Sequence, residues 1–292
     1  MTGLATFLEA HLEQGAILVS IERAEGSTPR ETGATMVVTA EGNSGTIGGG
    51  QLEFHCTDIA LEMLASGESS RRLDIPLGPQ MGQCCGGRVG VVLERGRPCH
   101  LAALQAAEAA RRASQPAVLI LGAGHTGRAL AEALMRLPLS VILIDDREGQ
   151  MHDLPVGVAC QRLDDPVEAI ASAQPGTAFV ILSHSHALDY RLTEAALLRG
   201  DAAYVGMIGS ATKRARFAAS FRRRHPASDA LACLTCPIGG DDVDDKRPEV
   251  IAALTAAELV RSLLAKQRAS GQSVAQGRQG PGRRAGDDGV AA

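Results

Sequence analysis

Two kinds of reactive chemistry sit in this chain at informative spacings. Met81-Gly-Gln-Cys-Cys-Gly-Gly87 sets the adjacent thiols of Cys84 and Cys85 between glycines, and Leu119-Ile-Leu-Gly-Ala-Gly-His-Thr-Gly127 sets Gly122, Gly124 and Gly127 at the spacing of a dinucleotide loop. A thiolate can ligate a soft metal such as molybdenum or accept a persulfide sulfur. A turn without side chains lets a pyrophosphate approach backbone donors and a helix N-terminus. The pair suits a metal-bearing, nucleotide-like cofactor better than simple hydride transfer. Each half also has a plainer reading: glycines that only let a strand and a helix pack closely, and one buried thiol with an incidental neighbour.

Further candidates surround these two. His125, within the glycine turn, can donate to phosphate or touch a cofactor ring, and Asp145 and Asp146 fall about twenty residues on, where an acid can accept ribose hydroxyls. Arg30, in Gly26-Ser-Thr-Pro-Arg-Glu-Thr-Gly-Ala34, offers paired donors to a phosphate or an ion pair to Glu31 or Glu53. Gly48 and Gly49 precede an expected helix and either expose backbone donors to an anion or build a tight turn and cap. His184, His186 and Asp189 follow an expected strand and can face a ligand crevice or cap the next helix. Lys213 and Arg214 either neutralise a bound phosphate or lie on an exposed helical face. Cys233 and Cys236 form a single C-x-x-C with no second pair to complete an ordinary zinc site.

The elements that must position these groups follow from hydrophobic period. Expected strands near 117–121, 140–144, 156–160, 178–183 and 203–208 alternate with helices near 125–137, 165–172, 187–198 and 211–222. That order predicts a Rossmann-like parallel sheet covered on both faces. Before it, helices at 4–14 and 52–66, strands at 16–21 and 89–93, and a hairpin of 35–39 with 44–47 predict a smaller mixed α+β domain. The fold class is therefore α/β, with an N-terminal domain over 1–113, a Rossmann-like domain over 114–267 and a disordered tail over 268–292. The last helix is expected to start around Lys246 and end near Ala265.

Composition narrows the function classes. The 292 residues are 45% hydrophobic, and with no Trp, two Tyr and five Phe they offer few stacking platforms for single-stranded nucleic acid. A net charge of -4 gives no broad basic field, so nucleic acid is not an expected partner; Arg222-Arg-Arg224 remains as a local patch. No apolar stretch reaches the roughly 20 residues of a membrane span, and no signal-like segment opens the chain, so a cytoplasmic protein is expected. Seven cysteines, an odd number, argue for reduced thiols over a disulfide scaffold.

The motifs at Gly26–Ala34, Gly45–Glu53, Gly78–Gly87, Gly122–Gly127, Ser183–Tyr190, Tyr204–Lys213 and Cys236–Gly239 together resemble the XdhC/CoxI family, accessory proteins for xanthine dehydrogenase and related molybdenum hydroxylases. The resemblance extends to about Leu264 and leaves out the tail. It implies a chaperone that binds the molybdenum cofactor transiently, cooperates with a cysteine desulfurase, and inserts the sulfurated cofactor into apo xanthine dehydrogenase. It also implies self-association, a molybdenum-insertion protein as a further candidate partner, and Cys84 or Cys85 as the metal- or sulfur-facing thiol. An NAD(P)-dependent oxidoreductase and a cofactor-free assembly scaffold are the alternatives.

Overall fold

The structure is a computed structural model that describes residues 3–78, 86–150, 152, 154 and 157–276, with side chains through 265. The chain divides into two compact units, Met1–Ser114 and Gln115–Ala292.

The first unit holds β1 (Ile17–Glu25), β2 (Thr35–Thr39), β3 (Gly42–Gly45), β4 (Ser70–Pro76) and β5 (Arg88–Arg95), an antiparallel sheet in the order β3-β2-β1-β5-β4. Helix α1 (Leu4–His11), helix α2 (Gly50–Ser66) and helix α3 (Pro98–Ala113) complete it. Alternation along β1 sorts its side chains: Ile17, Val19 and Ile21 join Leu52, Cys56, Ala60 and Met63 of α2 in one core. Leu18 packs on the other face with Leu8, and with Phe7, Leu101 and Leu104 around them. In this sheet, β4 is the strand that the hydrophobic pattern did not predict. Ser-Arg-Arg-Leu-Asp-Ile-Pro is a mostly exposed edge strand, and its pairing with β5 supplies what its composition does not.

The second unit holds six parallel strands in the order β11-β10-β9-β6-β7-β8. They are β6 (Ala117–Leu121), β7 (Ser140–Asp145), β8 (Ala159–Arg162), β9 (Ala178–Ile181), β10 (Tyr204–Met207) and β11 (Leu234–Thr235). Helix α4 (His125–Leu134) and helix α8 (Pro248–Gln276) cover one face, where Val118 and Ile120 meet Leu130, Leu134 and Leu259. Helices α5 (Val167–Ser172), α6 (His186–Leu198) and α7 (Ala211–Arg224) cover the other, where Leu119 and Leu121 meet Leu192, Phe217 and Phe221. Strands buried on both faces explain their unbroken apolar runs. The chain reverses direction along the sheet between β6 and β9, so the carboxyl ends of these neighbours flank a crevice.

Several expected boundaries move: α1 stops at His11, β1 runs on to Glu25, and the hairpin strand expected over 44–47 pairs over Gly42–Gly45. The strand near 156–160 pairs over Ala159–Arg162, and the last helix continues beyond Ala265 to Gln276. Residues 266–276 are largely Ala, Gln, Lys, Arg and Ser, a composition through which an existing helix can propagate.

Candidate functional site

The glycines of the dinucleotide-like loop divide their work. Gly122 has φ +132, and a Cβ there would lie 2.2 Å from the Leu182 carbonyl oxygen; a Cβ on Gly127 would lie 1.9 Å from the Gly122 carbonyl oxygen. Both positions are closed to side chains by backbone. Gly124 faces open space, with nothing within 4 Å of its virtual Cβ. It caps α4 without a side-chain bond, so the first N–H groups of that helix, beside exposed His125, lie open to an approaching anion.

Asp145 ends β7 and is turned into this loop. One oxygen accepts from the Ala123 N–H at 2.7 Å and from Arg147 Nη2 at 2.9 Å; the other accepts from the Arg147 N–H and Nε, each at 2.9 Å. Burial acts to raise its pKa, but the bonds from Arg147 and Ala123 outweigh that and hold it at about 2. The carboxylate therefore clamps the loop, and neither oxygen is left over for a ribose. Asp146 instead pairs with His184 Nδ1 at 3.5 Å, joining the turn after β7 to the turn after β9. Arg128 secures the loop from the other side, donating through Nε to the Ala123 carbonyl at 2.9 Å.

A cleft of about 530 Å³ opens between the N-termini of α6 and α7, lined among others by His184, His186, Asp189, Tyr190, Lys213 and Arg216. Lys213 is not on an exposed helical face. Its side chain is 9% exposed, and its ammonium donates to Asp189 Oδ2 at 2.5 Å and to the Ile208 carbonyl at 2.7 Å. Asp189 Oδ1 accepts from the Ser183 N–H at 2.8 Å, so the buried pair ties the two helices to the β9 turn. His184 and His186 are exposed at the mouth.

In the first unit, the loops after β1, β3 and β4 leave the same end of the sheet. Pro29 packs against Gly48, where a Cβ would come within 2.6 Å of its ring, and Ser27 bridges to Gly86. A Cβ on Gly87 would lie 2.3 Å from the Ser27 carbonyl oxygen. The Gly45–Glu53 turn forms an anion cradle that its own helix fills: Glu53 Oε1 accepts from the N–H groups of Ile47, Gly48 and Gly49 at 3.0, 3.3 and 2.9 Å, and from the Thr46 hydroxyl. Burial opposes ionisation of Glu53, and the Thr46 and backbone bonds prevail to lower its pKa.

Arg30, by contrast, has no ion-pair partner among the described residues, and neither Glu31 nor Glu53 engages it. It lines a second cleft of about 390 Å³ with Arg111 and Glu108. Cys84 and Cys85 lie outside the described residues. Their neighbour Gly86 belongs to the Ser27 bridge.

The two buried thiols among the described residues are poor nucleophiles. Burial, then the nearby Glu53 carboxylate, pushes the Cys56 thiol up to about 12. Burial also raises Cys236, against the pull of Lys213 and Arg214. Cys233 is exposed, and among the described residues no group of His, Cys, Asp and Glu could hold a metal. Sequence reasoning passed over Arg147, Arg216 and Arg111. Arg147 directly follows the Asp145-Asp146 pair, and Arg216 sits in the basic run of α7, but only folding distinguishes a spent guanidinium from a free one.

Comparison with known proteins agrees with this architecture. Residues 118–259 match the model of the XdhC Rossmann domain, and residues 10–75 match that of the XdhC and CoxI family. A crystal structure described as a xanthine dehydrogenase from Bacillus halodurans superposes with a TM-score of 0.73 at 19% identity, covering 92% of this chain and 98% of that one. At that identity the likeness is one of fold. The uncharacterised protein YqeB of Escherichia coli is 25% identical over 260 residues, 84% of this chain and 43% of YqeB, so the chain spans less than half of that relative. No helix among the described residues is long and apolar enough to cross a membrane.

Proposed function

The chain belongs to the XdhC and CoxI family, and from that membership we propose that it is an accessory protein of xanthine dehydrogenase maturation. In this reading it binds the molybdenum cofactor as cargo, presents it to a cysteine desulfurase for sulfuration, and hands it to apo xanthine dehydrogenase. Self-association, a cytoplasmic location and contact with a molybdenum-insertion protein belong to the same proposal. So do the domain limits 1–113 and 114–267.

The observation that carries the reading is the meeting of three glycine-bearing loops at one sheet end of the first unit. There the guanidinium of Arg30, without an ion-pair partner among the described residues, shares a loop with Ser27, which bridges to the residue immediately after the Cys84-Cys85 pair. An anionic pterin needs a cationic grip on its phosphate, and molybdenum needs a soft ligand or a sulfur donor. The described residues fit the first requirement, and Cys84 and Cys85 are the candidates for the second. Arg30 would hold the phosphate, with Gly48 and Gly49 shaping the wall beside it while Glu53 occupies their N–H groups. In the second unit, Gly122 and Gly127 hold the loop shape, and Gly124 and His125 leave it open to a phosphate. Asp145 sets that opening from behind.

The dehydrogenase alternative is less well supported, because the acid placed for a ribose has both oxygens engaged by Ala123 and Arg147. The test is purification from cells that make the molybdenum cofactor, followed by metal analysis, pterin fluorescence and transfer to apo xanthine dehydrogenase. Stoichiometric pterin is expected, reduced by Arg30→Ala and lost in Cys84→Ala or Cys85→Ala without a change in melting temperature. Folded, reduced protein that carries no pterin and transfers none, with desulfurase and apoenzyme supplied, would overturn the proposal.

A further inference from the structure

We propose that the cleft between α6 and α7 is a second anion site of the Rossmann unit, built to take the phosphate monoester end of a nucleotide-like ligand. Its 530 Å³ falls within the range of small-molecule sites and suits one mononucleotide-sized group. The donors that line the cleft define the site, which does not depend on molybdenum.

The argument is one of donors without acceptors. Asp189 is the carboxylate in the lining, and the Lys213 ammonium neutralises it. Lys213 itself is nine-tenths buried in the cleft wall and carries three N–H donors, of which Asp189 and the Ile208 carbonyl take two. Arg216 on the rim has no ion-pair partner among the described residues, and His184 and His186 add ring donors.

The two cap serines extend the set. Ser185 Oγ accepts from the Leu188 N–H at 3.1 Å and Ser210 Oγ from the Lys213 N–H at 3.4 Å, which leaves each hydroxyl proton free to donate outward. Among the described residues no acceptor takes the N–H groups of His186, Ala187, Ala211 or Thr212. Such an excess of donors exceeds what one carboxylate can satisfy and matches the three terminal oxygens of a phosphate monoester.

The position is also informative. Gly122 packs against the Leu182 carbonyl and Ser183 Cα, and Ser183 lines the cleft, so the open glycine loop and the cleft share one wall across the crevice. A ligand held at its first phosphate by Gly124 can place a second anionic group here, on the far side of the reversal point.

Two sources share this chemistry, a nucleotide and the phosphorylated pterin cargo, and the test separates them. The full chain is titrated with inorganic phosphate and with AMP by calorimetry, and pterin content is measured in protein from cofactor-producing cells. AMP is expected to bind, and Arg216→Ala to weaken it about ten- to a hundredfold with an unchanged melting temperature. If Arg216→Ala also lowers retained pterin, the cleft serves the cargo; if pterin is retained while AMP binding falls, it serves a nucleotide. Either result supports an anion site, and the second leaves the chaperone reading intact. Absence of binding by both phosphate and AMP at millimolar concentration, or AMP affinity unchanged in Arg216→Ala, overturns the inference.

Discussion

Asp145→Asn asks whether charge holds the glycine loop in shape. In the native protein this carboxylate is 3% exposed and accepts from Ala123 and from three donors of Arg147, at 2.7 to 2.9 Å. Burial alone would raise its pKa, and the Arg147 and Ala123 bonds take it from 3.8 down to about 2. At roughly 1.4 kcal/mol per pH unit, that displacement corresponds to about 2.5 kcal/mol of folding stability. Because the folded value lies below the unfolded one, the contribution is fully present above about pH 4 and is lost as pH falls toward 2. Asparagine keeps the shape, removes the charge and turns an amide N–H toward groups that are themselves donors. A loss of about 2–3 kcal/mol at neutral pH is expected. The assay is urea unfolding followed by tyrosine emission, which reports this unit alone, since the two tyrosines of the chain are Tyr190 and Tyr204. The gap between variant and native protein should close between about pH 4 and pH 2. A loss under about 0.5 kcal/mol at neutral pH, or a gap that stays constant on acidification, would refute the reasoning.

Two further substitutions use the same unfolding measurement. Gly127→Ala drives a methyl to within 1.9 Å of the Gly122 carbonyl oxygen and should cost more than about 2 kcal/mol, whereas Gly124→Ala, at φ -70 with open space around it, should cost under about 1 kcal/mol; equal costs would contradict the division between packing and ligand-facing glycines. Lys213→Met leaves Asp189 charged and buried and should cost about 3–5 kcal/mol, most of it recovered by adding Asp189→Leu; additive losses in the double variant would show that the pair is not a coupled unit.

Much of this molecule was legible before folding. The alternation of apolar strands with helices after residue 117 required a doubly wound sheet, since a strand such as Val118-Leu-Ile-Leu121 must bury both faces. Strand β4 was not legible, because its stability comes from a partner 12 residues or more away along the chain and its own residues are those of a solvated edge. The end of α8 was misplaced for the opposite reason, as local helix propensity carried the helix past the apolar period that set its expected end.

The candidate residues divide along the same line. Residue type and spacing identified which groups could meet a nucleotide-like cofactor: Arg30, the glycines, the two histidines and Lys213 for its phosphate, and Asp145 for its hydroxyls. Whether each is available depends on partners distant in sequence. The Lys213 charge is neutralised by Asp189, 24 residues away, and Asp145 is held by the Ala123 N–H, 22 residues away, while Arg30 and Arg216 meet no opposing charge among the described residues. Even Glu53, seven residues from Thr46, reaches the Gly48 and Gly49 donors only once the turn closes. The sequence by itself determined the period of the elements, and with it the fold class and the inventory of reactive groups, because both are properties of neighbours along the chain. Only the tertiary structure decided which charges are neutralised inside the protein and which remain for a ligand, because a hydrogen bond is satisfied by whatever acceptor comes within about 3 Å, wherever it lies in the sequence.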